Sequence, residues 1–202
     1  MTIRRGEAWG EHRALPDDGV VVRSDAEARH VVERARRAGE AVPTLGLLGG
    51  DLCRTLGGTG DADRLRTADA LAVAVDVGAV LIDGRLHWFV AHMVARHGWL
   101  RGPIHAAMNA QFLGSWDVAP RSHPNDGVLD TLVVTMGMGE RLKARRRVRT
   151  GTHVPHPGIE ERRPAAVQWD LGGAGVWLDG ERVGRAKSVS VRIEPDAITC
   201  VV

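Results

Sequence analysis

The chain contains an Asp-Gly turn between two strand-like runs at Trp177-Leu178-Asp179-Gly180-Glu181. The same arrangement occurs at Ile82-Asp83-Gly84-Arg85. Asp-Gly between apolar or alternating runs is the strongest short-range signal of a β-hairpin, because both residue types tolerate a positive φ. The two turns therefore predict antiparallel strands on either side of each of them.

The second half of the chain, beyond Gly78, consists of short apolar or alternating runs separated by turn residues. Such spacing is typical of a β-sandwich or barrel. We predict strands over residues 79–82, 86–90, 104–112, 129–135, 166–169, 175–178, 188–193 and 198–202. The pattern of residues 138–149 is compatible with either a helix or a basic loop.

The first half of the chain does not show this pattern of short apolar runs. Residues 1–18 are polar and predict a loose arm, whereas Val20-Val21-Val22 predicts a buried strand. Ser24-Asp25-Ala26-Glu27 resembles a capping box that opens a helix, and Gly39 ends it. A short strand is predicted at residues 44–48, which completes a βαβ unit. The sequence thus predicts an α+β fold, with a reduced α/β unit at residues 1–70 and a β-sandwich at residues 71–202.

Charge is nearly balanced over the 202 residues, with 27 basic and 25 acidic side chains. One stretch departs from this balance, and its basic residues are Arg141, Lys143, Arg145, Arg146, Arg147 and Arg149. A charge run of this kind is either a solvated face or a contact for anionic groups such as lipid phosphates. Nucleic acid is not expected, because base-stacking aromatic residues are scarce: six Trp, two Phe and no Tyr.

Cysteine usage and hydropathy predict a cytoplasmic protein. Cys53 and Cys200 are far apart in sequence and suggest no disulfide framework, which favours a reducing compartment. The longest apolar stretch, residues 70–82, is interrupted by Asp76 and Gly78 and is too short to span a bilayer.

A strand leads into Gly49-Gly50 and then into a short helix that we predict to begin near Asp51. This geometry offers free backbone N–H groups to an anion such as a nucleotide phosphate, although a Gly-Gly turn also serves as a simple connection. The histidines at 87, 92, 97, 153 and 156 show no metal-ligand spacing, so we interpret His87, His92, His97, His153 and His156 as structural.

Four stretches together resemble the diacylglycerol and sphingosine lipid kinases, above all their bacterial members. Residues 120–134, which include Pro120 and Asn125-Asp126-Gly127, are similar to the family's Pro-x-Ala and Asp-Asp-Gly motifs followed by an apolar strand. Asp179-Gly180-Glu181 is similar to its Asp-Gly-Glu hairpin, and residues 191–198 are similar to its closing strands. Residues 45–57 resemble the Gly-Thr-x-Asn-Asp-Phe-Ala-Arg segment that follows the family's phosphate loop.

The resemblance implies a nucleotide-binding α/β domain and a β-sandwich of the lipid kinase C-terminal type, which together transfer phosphate from ATP to a lipid hydroxyl. It assigns removal of the hydroxyl proton to Asp179 and Glu181. It assigns Mg²⁺ to Asp126, with the backbone carbonyls of His123 and Val128 completing the site. Gly49, Gly50 and Asp51 are then the nucleotide-binding residues.

The sequence departs from the family at its phosphate-binding motifs. The Gly-Gly-Asp-Gly-Thr loop is absent, the Gly-Thr-x-Asn portion before Asp51 is missing, and a long sandwich insertion between His97 and Arg101 has no counterpart. Three hypotheses follow: a reduced lipid kinase; a non-catalytic protein that binds an anionic lipid, a protein partner or a second copy through the basic stretch; or a subunit completed by a separate nucleotide-binding chain.

Overall fold

The computed structural model describes residues 9–202, in which β-structure predominates. The strands, in chain order, are β1 (Glu11–His12), β2 (Val20–Val22), β3 (Leu45–Leu47), β4 (Leu71–Ile82), β5 (Arg85–Phe89), β6 (His92–Arg96), β7 (Ile104–Met108), β8 (Phe112–Leu113), β9 (Trp116–Asp117), β10 (Asp130–Val134), β11 (Ile159–Arg162), β12 (Ala166–Leu178) and β13 (Glu181–Val201). The α-helices are α1 (Asp25–Ala38), α2 (Asp51–Thr55) and α3 (Met138–Arg147).

Eleven of the strands form one sheet with the main order β1-β4-β13-β12-β6-β7-β10-β11. Strand β5 pairs with β4, while β2 pairs with β3, which itself pairs with β13. The long strands β4, β12 and β13 therefore connect the N-terminal elements to the rest of the sheet. Strands β8 and β9 form a separate two-stranded ribbon.

Both Asp-Gly hairpins predicted from the sequence are confirmed. Asp83 and Asp179 adopt φ values of 44° and 50°, and the turns join β4 to β5 and β12 to β13. The predicted strands at 166–169 and 175–178 are parts of one strand, as are those at 188–193 and 198–202. The strand register shifts after Asp170 and after Glu194, at the gaps between the predicted strands, and pairing continues beyond each shift.

The predicted strand at 104–112 is wrong in its second half, because the chain leaves the ladder at Asn109. The backbone N–H groups of Asn109 and Ala110 both donate to the Ala91 carbonyl. The buried Asn109 amide also donates to the carbonyls of Asp76 and Val90. These bonds fix a turn where the apolar pattern suggested a continuing strand.

The N-terminal elements follow their local signals. Ser24 Oγ accepts a hydrogen bond from the Glu27 amide at 3.2 Å, and Gly39 ends α1 in the left-handed conformation at φ 70°. Strands β2 and β3 pair in parallel on either side of α1 in the sequence. Because β3 also pairs with β13, these elements share a sheet with the second half; the division at residue 70 stays a prediction.

The prediction of a loose arm is wrong for residues 9–18, while residues 1–8 lie outside the described part of the chain. Strand β1 pairs with β4, Leu15 is buried, and the Trp9 indole N–H donates to the Ala74 carbonyl at 3.2 Å. A few apolar side chains thus suffice to pack this polar segment against the sheet. They are too few to produce a periodic pattern that the sequence analysis could detect.

Residues 138–147 form a helix, which decides between the two alternatives left open for the basic stretch. In the described part of the chain, no helix has the length and apolar character needed to cross a membrane. Cys53 and Cys200 are buried free thiols.

Two large apolar clusters form the core, and β4 and β13 contribute to both of them. The first packs α1 and α2 against the sheet, and the second lies among β4, β5, β6, β12 and β13. Gly78 is required at their junction, because a Cβ there would lie 2.1 Å from the Phe89 ring. The packing of α1 and α2 brings their N-termini to the β12–β13 turn, where the candidate site lies.

Candidate functional site

A cavity of about 600 Å³ lies where the starts of α1 and α2 face β6 and the β12–β13 turn. Its polar wall contains Asp25, Asp51, His92 and Asp179. Its other side chains include Arg96, Trp99, Trp116, Arg149 and Trp177. Three carboxylates, one imidazole and two arginines thus face a space bordered by tryptophans.

Asp179 occupies the first position of the β12–β13 turn and is 6% exposed. Its carboxylate accepts hydrogen bonds from the backbone amides of Val90, Ala91 and His92 at 2.9, 2.9 and 3.0 Å. Burial raises the pKa of Asp179, and this effect outweighs the opposing effects of His92 and the three amides. The structure therefore places this predicted catalytic residue in the cavity wall, with a raised proton affinity.

Glu181, the second predicted catalytic residue, is not among the residues that line this cavity. Its half-exposed carboxylate forms an ion pair with Arg29 and lies 3.0 Å from His30 Nε2, both on α1. The resemblance pairs Asp179 and Glu181 as catalytic acids, but of the two only Asp179 lines the cavity. The partner of Glu181 is Arg29, and the main cause of the raised pKa of Asp179 is burial.

His92 and Asp51 form a pair that sequence reasoning missed. His92 Nε2 lies 3.0 Å from Asp51 Oδ2, and the Gly114 amide donates to the same carboxylate. Burial raises the pKa of Asp51, but the bonds from His92 and Gly114 outweigh it and lower the pKa overall. Burial lowers the pKa of His92, but Asp51 and Asp179 outweigh it and raise the pKa. Both shifts favour an ionised carboxylate beside a protonated imidazole.

Asp25 is the other functional residue that the sequence did not single out. Its carboxylate accepts the backbone amides of Asp51 and Leu52 at 2.6 and 3.1 Å and so caps α2. Gly50 allows this close approach, because a Cβ there would lie 2.4 Å from Asp25 Oδ1. Burial, followed by repulsion from Asp179, raises the pKa of Asp25 to about 6.

This cap corrects the expectation for Gly49, Gly50 and Asp51. We expected free backbone amides at the Gly-Gly turn, but those of residues 51 and 52 already donate to Asp25. A carboxylate of the chain thus occupies the position at which an external phosphate was expected. Nucleotide binding by these residues stays a prediction.

Asp25, Asp51 and His92 form a group that could hold a metal ion. One ligand atom from each lies within 4.8 Å of the others. Carboxylate oxygens suit Mg²⁺, whereas the His92 imidazole would ligate a metal only in its neutral form. A cation here would also offset the repulsion that raises the pKa of Asp25.

At the magnesium site predicted at Asp126, His123 and Val128, the Asp126 carboxylate has a cationic side chain as its partner. Asp126 forms an ion pair with Arg163, whose Nε also donates to Asp130 Oδ1 at 2.9 Å. The His123 ring packs edge-on against Trp9, and the Val128 amide donates to Asp126. A guanidinium therefore already supplies positive charge beside the Asp126 carboxylate, and magnesium binding there stays a prediction.

We expect Arg163→Ala to lower the free energy of unfolding by about 2 kcal/mol, because Asp130, only 1% exposed, loses its cation. Arg162→Ala is the matched control, because the Arg162 side chain is 75% exposed and its removal should leave the unfolding midpoint nearly unchanged.

A second measurement compares the unfolding midpoint in Mg²⁺ with that in EDTA. We expect the difference between the two midpoints to be the same in the native protein and in Asp126→Asn. If Mg²⁺ raised the midpoint of the native protein but not that of Asp126→Asn, the result would support a magnesium site at Asp126.

A second cavity of about 450 Å³ adjoins the first and is largely apolar. Val94, Trp99, Leu113 and Trp116 line both cavities. The rest of its wall includes Ala106 of β7, Leu132 of β10 and Leu142 of α3. The acidic group and the apolar space therefore form two compartments with a common wall, an arrangement that matches an amphiphilic ligand.

Comparison with known proteins gives two positive findings. Residues 73–202 match the family described as the YegS C-terminal NAD kinase beta sandwich-like domain. A solved structure of a candidate diacylglycerol kinase from Bacillus anthracis str. Sterne is similar, with a TM-score of 0.71 and 14% identity over 91% of this chain and 77% of that one.

A further structure, of a diacylglycerol kinase from the same strain, has a TM-score of 0.65 at 15% identity, again over 91% of this chain and 77% of that one. At such identities the likeness shows the fold alone. No curated protein matches the sequence.

Proposed function

The chain belongs to the family of the YegS C-terminal NAD kinase beta sandwich-like domain, and on that basis we propose that it is a lipid kinase-like phosphotransferase acting on the hydroxyl of a lipid alcohol. The observation that carries this proposal is the common wall of the two cavities. A lipid alcohol whose acyl chain fills the apolar cavity would place its polar end beside Asp51, His92 and Asp179.

Asp179 is the group that takes the hydroxyl proton in this proposal. It lines the polar cavity, and burial raises its pKa, which makes it a stronger base than an exposed aspartate. The three backbone amides of residues 90–92 fix its position. Glu181 has a positioning role, because its ion pair with Arg29 connects the start of β13 to α1.

Asp25 and Asp51 would hold Mg²⁺, which neutralises charge on nucleotide phosphate oxygens when bound. His92 orients Asp51 through the 3.0 Å contact. Arg96 and Arg149 provide positive charge in the wall of the same cavity. The Arg96 guanidinium stacks between Trp99 and Trp177, at 4.1 and 4.2 Å from their ring centroids, so that its hydrogen-bonding edge can face a phosphate.

A second candidate function is lipid binding without phosphoryl transfer. The observation that favours it is the cap on α2, since Asp25 accepts two amides that a phosphate would otherwise bind. Phosphoryl transfer depends almost entirely on positioning and electrostatics, so the loss of these donors bears directly on activity. Both candidate functions require the lipid to enter the apolar cavity.

We expect the native protein to bind the soluble lipid alcohol 1,2-dioctanoylglycerol saturably, and Ala106→Phe to weaken this binding at least tenfold. Ala106 lines the apolar cavity, so the added ring occupies space needed by the acyl chains. Ala166→Phe makes the same change at an exposed strand position and should bind like the native protein. Calorimetric titration measures all three. Equal affinity in native and Ala106→Phe proteins of unchanged circular dichroism would contradict the lipid site.

A further inference from the structure

Four large apolar side chains are exposed around the mouth of the apolar cavity. Trp99 and Leu100, in the loop after β6, are 42% and 48% exposed, and Met138 and Leu142, on α3, are each 52% exposed. Trp99, Leu100 and Leu142 also line the cavity. An apolar cluster of this kind at a cavity entrance is typical of an interaction surface rather than of scattered surface residues.

Arg141 holds the two halves of this cluster together. Its guanidinium donates to the carbonyl of Met136 at 2.8 Å, to that of Trp99 at 3.0 Å and to that of Gly102. The side chain is buried, which corrects the expectation that Arg141 belongs to an anion-binding surface. Its role is to fix the loop that carries Trp99 and Leu100 against the start of α3.

Exposed basic residues lie on α3 and just after it, but not all of them face the apolar cluster, since Lys143 and Arg147 line a separate cavity with Glu140 and His156. Lys143, Arg146, Arg147 and Arg149 are exposed, whereas Glu140 is the one acidic residue in positions 138–149 of the sequence. Leu142 and Arg146 are one helical turn apart on α3, so an apolar and a basic side chain lie side by side. Arg149 also lines the polar cavity, which extends the positive charge to the candidate site.

Exposed Trp and Leu next to Lys and Arg are the combination with which peripheral proteins bind an anionic bilayer, the apolar side chains entering the acyl region and the cations contacting lipid phosphates. A second copy of this chain fits less well, because two identical basic surfaces repel each other. Leu142 and Met138 likewise offer nothing to a nucleic-acid backbone.

We infer that Trp99, Leu100, Met138 and Leu142, with Arg146 and Arg149, form a docking surface for an anionic lipid bilayer, and that the apolar cavity opens onto the membrane there. The inference deepens the proposed function, since a lipid alcohol would pass from the bilayer into the cavity without crossing water. Bilayer binding itself needs neither ATP nor a substrate, so it can fail or succeed independently of phosphoryl transfer.

The test is flotation with vesicles of phosphatidylcholine alone or with 30% phosphatidylserine, in the absence of nucleotide. We expect at least tenfold more native protein to float with the anionic vesicles. Leu142→Glu and Arg146→Glu/Arg149→Glu should each reduce that binding at least tenfold. Leu86→Glu, at a position 42% exposed on β5, and Arg13→Glu/Arg34→Glu are the matched controls and should bind like the native protein.

Equal binding to both vesicle types would overturn the inference, as would native-like binding by both docking-surface variants. Light scattering measures the oligomeric state of the same proteins and so tests whether a second copy of the chain covers this surface. A native dimer that Leu142→Glu converts to a monomer, together with no vesicle binding, would assign the surface to a second copy of the chain instead.

Discussion

Asp179→Asn should destabilise the protein by about 3 kcal/mol, because buried amide donors lose a charged acceptor. The aspartate accepts three backbone amides with both oxygens, whereas asparagine offers one oxygen and turns an NH₂ group toward an amide. Removal of a buried charge offsets part of this loss. For a chain of this size we expect the thermal midpoint to fall by roughly 10 °C.

Asp83→Asn is the matched control, because Asp83 also begins an Asp-Gly hairpin with positive φ and accepts backbone amides, those of Lys187 and Ser188. Asp83 is exposed, so water replaces what the substitution removes, and the midpoint should move far less. If both variants lowered the thermal midpoint by similar amounts, the hydrogen bonds from the buried amides of residues 90–92 would not be the source of the stability that Asp179 provides. A consequence is that Asp179→Asn confounds stability with catalysis in any activity assay.

Asp51→Asn is therefore the cleaner probe of the candidate site, and we expect it to reduce phosphoryl transfer to a lipid alcohol about 100-fold, as loss of one preorganised electrostatic group does in enzymes. The substitution removes a carboxylate proposed to hold Mg²⁺ and the charge that faces His92. One acceptor oxygen remains for the Gly114 amide, so the local fold should persist.

The measurement is the initial rate of label transfer from Mg-ATP to 1,2-dioctanoylglycerol. Asp170→Asn, at an exposed position on β12, should retain the native rate. Asp51→Asn should still bind the lipid alcohol, since the apolar cavity is unchanged. A native rate in Asp51→Asn would remove this residue from the phosphoryl-transfer chemistry.

Local chemistry explains what could be predicted from the sequence. The turns at Asp83 and Asp179, the Ser24 cap and the Gly39 terminus each depend on a few adjacent residues, and the structure confirms all four. Strand lengths were underestimated because β12 and β13 continue through irregularities at which the apolar pattern breaks. Pairing with a neighbour outweighed the local signal there.

The candidate site depends on contacts between residues that are distant in sequence, which no local pattern encodes. His92 meets Asp51 across 41 positions, and Asp25 reaches the Asp51 amide across 26. The histidine sits in an apolar run, where a structural role was the natural interpretation. Arg163 lies 37 positions from Asp126, so their ion pair could not be predicted from the Asn-Asp-Gly motif.

The geometry places Asp179 in the cavity wall, while its catalytic role stays a prediction, and the amides at the Gly-Gly turn are not free as the resemblance implied. The missing Gly-Gly-Asp-Gly-Thr loop was evident from the sequence alone. The structure adds that Asp25 caps α2 and that Arg96 and Arg149 face the same cavity. Any phosphate in this chain would therefore contact arginines and a cation more than glycine amides.

The most direct test of the proposed function is transfer of the labelled γ-phosphate from Mg-ATP to 1,2-dioctanoylglycerol by the native protein. The proposal predicts label in the lipid product, at a rate that Ala106→Phe and Asp51→Asn both reduce. No label in the lipid, alongside dioctanoylglycerol binding that Ala106→Phe weakens, would contradict phosphoryl transfer and leave this chain a lipid-binding relative of the lipid kinases.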